Sequence, residues 1–175
     1  GMLINGLGTA VLFDSLSNVN STGTNVAGMV ISGQYTDNPL PYPISGVPVN
    51  VEGTNLGIIT LGDSSAGIYL MNSARGENKG TISVDNYSVA MYAEGSGSSI
   101  TNDNNGTINI KQESTGLFLK DGLSVSNTGT AEIKSTSRKA VGIYSENSLA
   151  APASVTNSSK IDLGGDQSIG IYTTG

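Results

Sequence analysis

The chain has 175 residues, with 8 Lys and Arg against 14 Asp and Glu and a formal net charge of −6. That is enough for one domain, and it excludes a nucleic-acid binder, which needs clustered cations. With no His and no Cys, a histidine general base, a disulfide framework and a thiolate metal site are also excluded.

Apolar residues come in twos and threes, far short of the roughly 20 that a membrane helix needs, so direct membrane insertion is not expected. Abundant Gly, Ser, Thr and Asn predict an all-β, turn-rich fold with no cofactor.

The N-terminal region, residues 1–54, is irregular. Gly1 to Gly6 offers neither the basic nor the apolar segment of a secretory signal. Gly23-Thr24-Asn25-Val26 and Asn25 to Val30 resemble degenerate copies of phrases that recur later. Pro39, Pro41, Pro43 and Pro48 cannot donate to a strand ladder, so roughly residues 33 to 48 are expected to leave the fold as a loop. A second excursion is expected from Glu146 to Pro152.

From residue 55 two phrases alternate. Asn55-Leu56-Gly57-Ile58-Ile59-Thr60-Leu61 precedes Ala66-Gly67-Ile68-Tyr69, and similar pairs follow. The aromatics Tyr69, Tyr92, Phe118, Tyr144 and Tyr172 lie 23, 26, 26 and 28 residues apart, the spacing of a solenoid with one supersecondary unit per coil. A third phrase appears as Ser99-Ile100-Thr101-Asn102, Ser124 to Asn127 and Ser154 to Asn157. Each coil therefore offers up to three strands. The expected architecture is a right-handed parallel β-helix of about five regular coils over residues 55–175, its hand taken from the general preference of parallel crossovers.

Alternate residues of a strand face opposite ways. On that rule Ile59, Ile82, Ile108, Ala131 and Ile161 face inward with Leu61, Val84, Ile110, Ile133 and Leu163. Thr60, Ser83, Asn109, Glu132 and Asp162 face outward. In the aromatic phrase Ile68, Met91, Leu117, Ile143 and Ile171 point inward together with Ala66, Val89, Thr115, Val141 and Ile169. The five aromatics point outward, in line with Gly67, Ala90, Gly116, Gly142 and Gly170. A corner column of Asn55, Asn78, Asn104, Asn127 and Asn157 is expected to form an amide ladder. Asn104 is favoured over Asn102 by its spacing to Gly106, with a bulged corner there.

Ser-x-Gly-Ile-Tyr followed by Asn-x-Gly-Thr-Ile, repeated every 23 to 30 residues, resembles the passenger repeats of large type V autotransporter adhesins of Gram-negative bacteria over roughly residues 50–175. The resemblance implies a β-helical passenger on the cell surface or secreted. It implies a role in attachment, with a host or bacterial surface glycan or a protein receptor as partner. No barrel or signal is present, and the repeat stops in mid-coil at Ile171 to Gly175, which reads as an excised fragment of a longer passenger.

The outward column Tyr69, Tyr92, Phe118, Tyr144 and Tyr172 is the candidate ligand-binding surface, with a stabilising aromatic ladder as its structural counterpart. Tyr35 and Tyr42 in the Pro-rich loop form a second candidate. Gly62-Asp63-Ser64 looks like a nucleophile turn but has no His to serve it. Asp63 and Asp166 lack the tandem repetition of calcium-binding solenoids. Outward Thr81, Thr107 and Thr130 suggest an ice-binding array, which Ile58 and Lys160 interrupt. The rival to a non-catalytic scaffold is a polysaccharide-cleaving β-helix using Glu132 and Asp162, which the alignment places in one outward column at glycosidase-like spacing.

Overall fold

The computed structural model describes residues 2–6, 18–33, 51–148 and 152–175. These contain strands and no helix. After β1 (Met2–Gly6), the first turn takes β2 (Asn18–Ser21), β3 (Ala27–Gly33) and β4 (Glu52–Asn55). The second takes β5 (Ile58–Leu61), β6 (Ala66–Met71) and β7 (Arg75–Asn78), and the third β8 (Thr81–Val84), β9 (Val89–Glu94) and β10 (Ser99–Asn102). The fourth has β11 (Thr107–Ile110), β12 (Thr115–Lys120) and β13 (Ser124–Asn127), and the fifth β14 (Glu132–Ser135), β15 (Val141–Glu146) and β16 (Ser154–Asn157). β17 (Lys160–Leu163) and β18 (Ile169–Thr174) begin another.

Equivalent strands of successive turns pair in parallel and make three sheets. The aromatic sheet runs β1-β3-β6-β9-β12-β15-β18, the second β17-β14-β11-β8-β5-β2, and the third β16-β13-β10-β7-β4. The protein is a parallel β-solenoid of about five turns, as the repeat predicts. Most of the expected Pro-rich excursion and part of the second one fall outside the described residues, as do Tyr35 and Tyr42.

Inward side chains of the three sheets meet in one core. Ile59, Ile82, Ile108 and Ile133 stack from turn to turn and are at most 1% exposed. Met29, Ile68, Met91, Leu117 and Ile143 form the matching column of the aromatic sheet. Burying each such side chain contributes about 1.5–3 kcal/mol. Because every turn covers its neighbour's apolar layer, that burial exists only in the stack.

Register corrects the fourth repeat. Ile133 pairs with Ile108, and Ser135 occupies the place expected for Ile133. Ala131 is buried at the corner, outside the strand. The corner from Asn102 to Thr107 and that from Asn127 to Glu132 are each two residues longer than the corner from Asn78 to Thr81, which moves the strand start past the Gly129-Thr130 that mimics Gly106-Thr107. The bulged corner at Asn104 is present, with Asn104 and Asn105 at φ of 32° and 71°.

The small-residue column is also corrected. Gly67, Ala90, Gly116 and Gly142 are buried beside the inward Ile68, Met91, Leu117 and Ile143, whereas Ala66, Val89, Thr115 and Val141 are half-exposed. The register passes from Ala66↔Val89 to Ile68↔Met91 without pairing Gly67 to Ala90, so the two-residue alternation breaks there. Two consecutive positions then face the core. A Cβ on Gly116 would stand 2.6 Å from the Gly142 carbonyl oxygen and 2.8 Å from Ile133 Cγ2, closer than ordinary packing allows. Glycine at this column brings the strand against the sheet opposite.

Candidate functional site

Two polar ladders fix the corners. Asn55 Nδ2 donates to Asn78 Oδ1 at 2.8 Å, Asn78 to Asn102 at 2.8 Å, Asn102 to Asn127 at 2.9 Å and Asn127 to Asn157 at 2.9 Å. The column therefore takes Asn102 where Asn104 was expected, because Asn102 ends β10 in register with Asn78 and Asn127. Asn104 lies exposed on the lengthened corner.

The second ladder is of serine. The Ser65 amide donates to Ser88 Oγ at 3.0 Å and that of Ser88 to Ser114 Oγ at 3.1 Å. In the next turn Ala140 stands in the column, and its amide donates to Ser168 Oγ at 3.1 Å. The residue just before each of these, Ser64, Tyr87, Glu113, Lys139 and Gln167, is left-handed, at φ between 54° and 59°. The serine ladder was written in the sequence as the first letter of Ser-x-Gly-Ile-Tyr.

The same corner absorbs the apparent nucleophile turn. Asp63 Oδ1 accepts from the Asn86 amide at 2.9 Å and from Asn86 Nδ2 at 3.2 Å. Ser64 is one of the left-handed residues.

Beyond the ladders lies the outward aromatic column. Tyr69 and Tyr92 stack with centroids 5.2 Å apart and planes at 19°, as do Tyr144 and Tyr172 at 5.3 Å. Phe118 stands edgewise between them, 5.0 Å from Tyr92 and 4.6 Å from Tyr144. The rings of Tyr69, Tyr92, Phe118 and Tyr144 are half-buried. In the two stacked pairs the ring faces are turned to each other.

Glu94 anchors the first pair. It accepts the Tyr69 hydroxyl at 2.5 Å on Oε1 and the Tyr92 hydroxyl at 2.9 Å on Oε2. Burial, and then the hydrogen bond to Glu94, push the Tyr69 hydroxyl up to about 12 and raise that of Tyr92 as well. In the row beside the rings stand Met71, Glu94, Lys120, Glu146 and Thr174, in register with one another.

The carboxylates proposed for glycan cleavage are not in one column. Glu132 is in register with Lys160, and Asp162 with Lys134. Lys160 Nζ lies 2.8 Å from Glu132 Oε1 and 2.9 Å from Asp162 Oδ2, and Lys134 Nζ lies 3.2 Å from Glu132 Oε2. Hydrogen bonds from Lys160 and Lys134 hold the Glu132 carboxyl below its usual range. This is the geometry of a surface ion-pair cluster. The register also removes Thr130 from any threonine array, since Glu132 follows Thr107 in its column. Among the described residues no three His, Cys, Asp or Glu side chains form a metal-holding group.

A parallel β-solenoid with internal amide and hydroxyl ladders is thus the class of protein defined. Over residues 2–150 the chain matches the family model of the BigA third pectate lyase-like domain, and it belongs to that family. Neither a curated protein nor a solved structure matches it.

Proposed function

We propose that this chain is a non-catalytic, rigid scaffold in the passenger of a bacterial surface adhesin of the autotransporter type. The observation that carries the reading is the unbroken register of inward columns and amide ladder through successive turns. Such a stack resists bending and sets a fixed distance along its axis. Membership of a family named for BigA supports the adhesin assignment, in line with the passenger-repeat resemblance. The ion-paired state of Glu132 supports the non-catalytic part, because a general acid needs a raised pKa and a nucleophile needs an open approach.

In this reading the partner is a surface glycan or protein receptor, met by the outward column Tyr69, Tyr92, Phe118, Tyr144 and Tyr172. Antibodies against the chain should label intact cells of the source bacterium, and purified protein should attach to host or bacterial surfaces without releasing sugar from a polysaccharide panel. Labelling only after permeabilisation would contradict the location. Sugar release abolished by Glu132→Gln would replace the scaffold with the enzyme.

A further inference from the structure

We propose that the outer face of the third sheet is a binding groove for a neutral oligosaccharide, separate from the aromatic column. It gives the adhesive scaffold proposed above a second contact face, and so rests on that reading. The groove crosses β4, β7, β10 and β13 and has a volume of about 390 Å³, inside the range of about 300–1,000 Å³ usual for ligand clefts.

Its lining mixes polar and apolar surface and includes the exposed Leu123. Thr54, Ser99, Thr101 and Ser124 supply hydroxyls, and Arg75, Glu52 and Glu77 supply charge. Ser124 Oγ donates to Ser99 Oγ at 3.0 Å, and Thr101 Oγ1 and Ser126 Oγ share a bond of 3.0 Å. A hydroxyl has one donor and two acceptor sites, so these bonds orient the row and leave capacity for a ligand. Lys79 Nζ holds Glu77 at 2.9 Å. Arg75 meets Glu52 only at 3.7 Å, with both side chains about half exposed, so its guanidinium has donors to offer.

This donor and acceptor set selects the ligand class. Sugar hydroxyls both give and accept, and so match hydroxyls, carboxylates and a guanidinium in one cleft. Arg75 against Glu52 and Lys79 against Glu77 balance the local charge, which suits a neutral ligand, and the chain's net charge of −6 disfavours an anionic glycan. β7, β10 and β13 are paired on both sides, which leaves β4, at the end of the sheet, as the one described strand of the groove that an extended peptide could join. Turns recur every ~4.8 Å, presenting a hydroxyl row along the solenoid axis to a linear chain of sugars.

The test is an array of neutral, anionic and cationic oligosaccharides, with a set of extended peptides, probed with the full chain, Ser99→Tyr, Arg75→Ala and Asn104→Gly. Ser99→Tyr fills the groove from an outward position, and thermal melting verifies that each variant is folded. Binding to neutral oligosaccharides should fall at least ten-fold in Ser99→Tyr and clearly in Arg75→Ala, and be unchanged in Asn104→Gly, which lies outside the groove and the aromatic column. No neutral glycan bound, preference for anionic glycans or peptides, or binding undiminished in Ser99→Tyr would each overturn the groove. Cell attachment that survives in Ser99→Tyr would overturn the groove as an adhesive face while leaving the scaffold reading standing.

Discussion

Leu70 occupies the space that Gly76 leaves open: a Cβ on Gly76 would lie 2.8 Å from both Leu70 Cδ1 and Cδ2. One turn on the sizes are exchanged, for Ala93 follows Leu70 in its column and Ile100 follows Gly76, both fully buried. In these two turns core volume is therefore balanced between the aromatic and third sheets.

Gly76→Val should destabilise the protein by about 1–3 kcal/mol through overpacking, and Leu70→Ala by about 2–5 kcal/mol through a cavity. Combined, the two should cost clearly less than their sum, because each relieves the other. Additive losses in a denaturant titration would show that the two sides do not share space.

Asn102 and Asn104 are separated by a parallel experiment. Asn102→Ala removes the acceptor of Asn78 and the donor of Asn127 from a fully buried column, with a cost of about 1–3 kcal/mol for each orphaned group. Asn104→Gly should change stability by less than about 1 kcal/mol, since the side chain is exposed and glycine accepts a positive φ. Equal losses in thermal melts would contradict the assignment of the ladder to Asn102.

Ala140 interrupts the serine ladder without filling the corner with anything larger. Ala140→Ser should place an Oγ where the Ser114 amide can donate, by analogy with Ser88 and Ser114, and stabilise by roughly 0.5–1.5 kcal/mol. A lowered melting temperature would show that the corner cannot take the hydroxyl.

Alkaline titration reads the aromatic column. A tyrosine whose hydroxyl is raised in the folded state favours folding fully below its ordinary pKa of 10.0, and that contribution disappears as pH climbs through the folded value, about 12 for Tyr69. Stability should therefore fall between these values, as followed by denaturant melts at stepped pH. Glu94→Gln should lower the tyrosinate midpoint of Tyr69 only in part, because burial is the larger cause. An unmoved midpoint would mean that Glu94 has no hold on the ring.

Much of the fold is legible in the sequence. Isoleucine at Ile59, Ile82 and Ile108 repeats with alternation intact, so period and parity together place it correctly. Parity fails at Gly67 to Ile68, because a bulged register, invisible in composition, sends two consecutive residues inward. The fourth turn was slipped because its corner grew by two residues while still containing a Gly-Thr. The strands Glu52–Asn55 and Arg75–Asn78 carry no apolar mark in the sequence, because Gly53 and Gly76 stand in the column that Ile100 and Val125 occupy in later turns. Their partner, a large residue on another strand, cannot be read locally. Glu132 and Asp162 looked like a catalytic pair only in the slipped alignment.

In-register stacking is the claim on which the rest depends, and a distance measurement tests it most directly. The chain has no cysteine, so Ile58→Cys with Lys160→Cys gives two unique spin-label sites, both exposed. They belong to one column through Thr81, Thr107 and Glu132, four strand spacings apart, or about 19 Å between backbones. A single narrow distribution near that value, shortening by about 5 Å when the second label moves to Glu132→Cys, is the predicted result. A broad distribution, or a separation that does not follow the strand spacing, would contradict the solenoid.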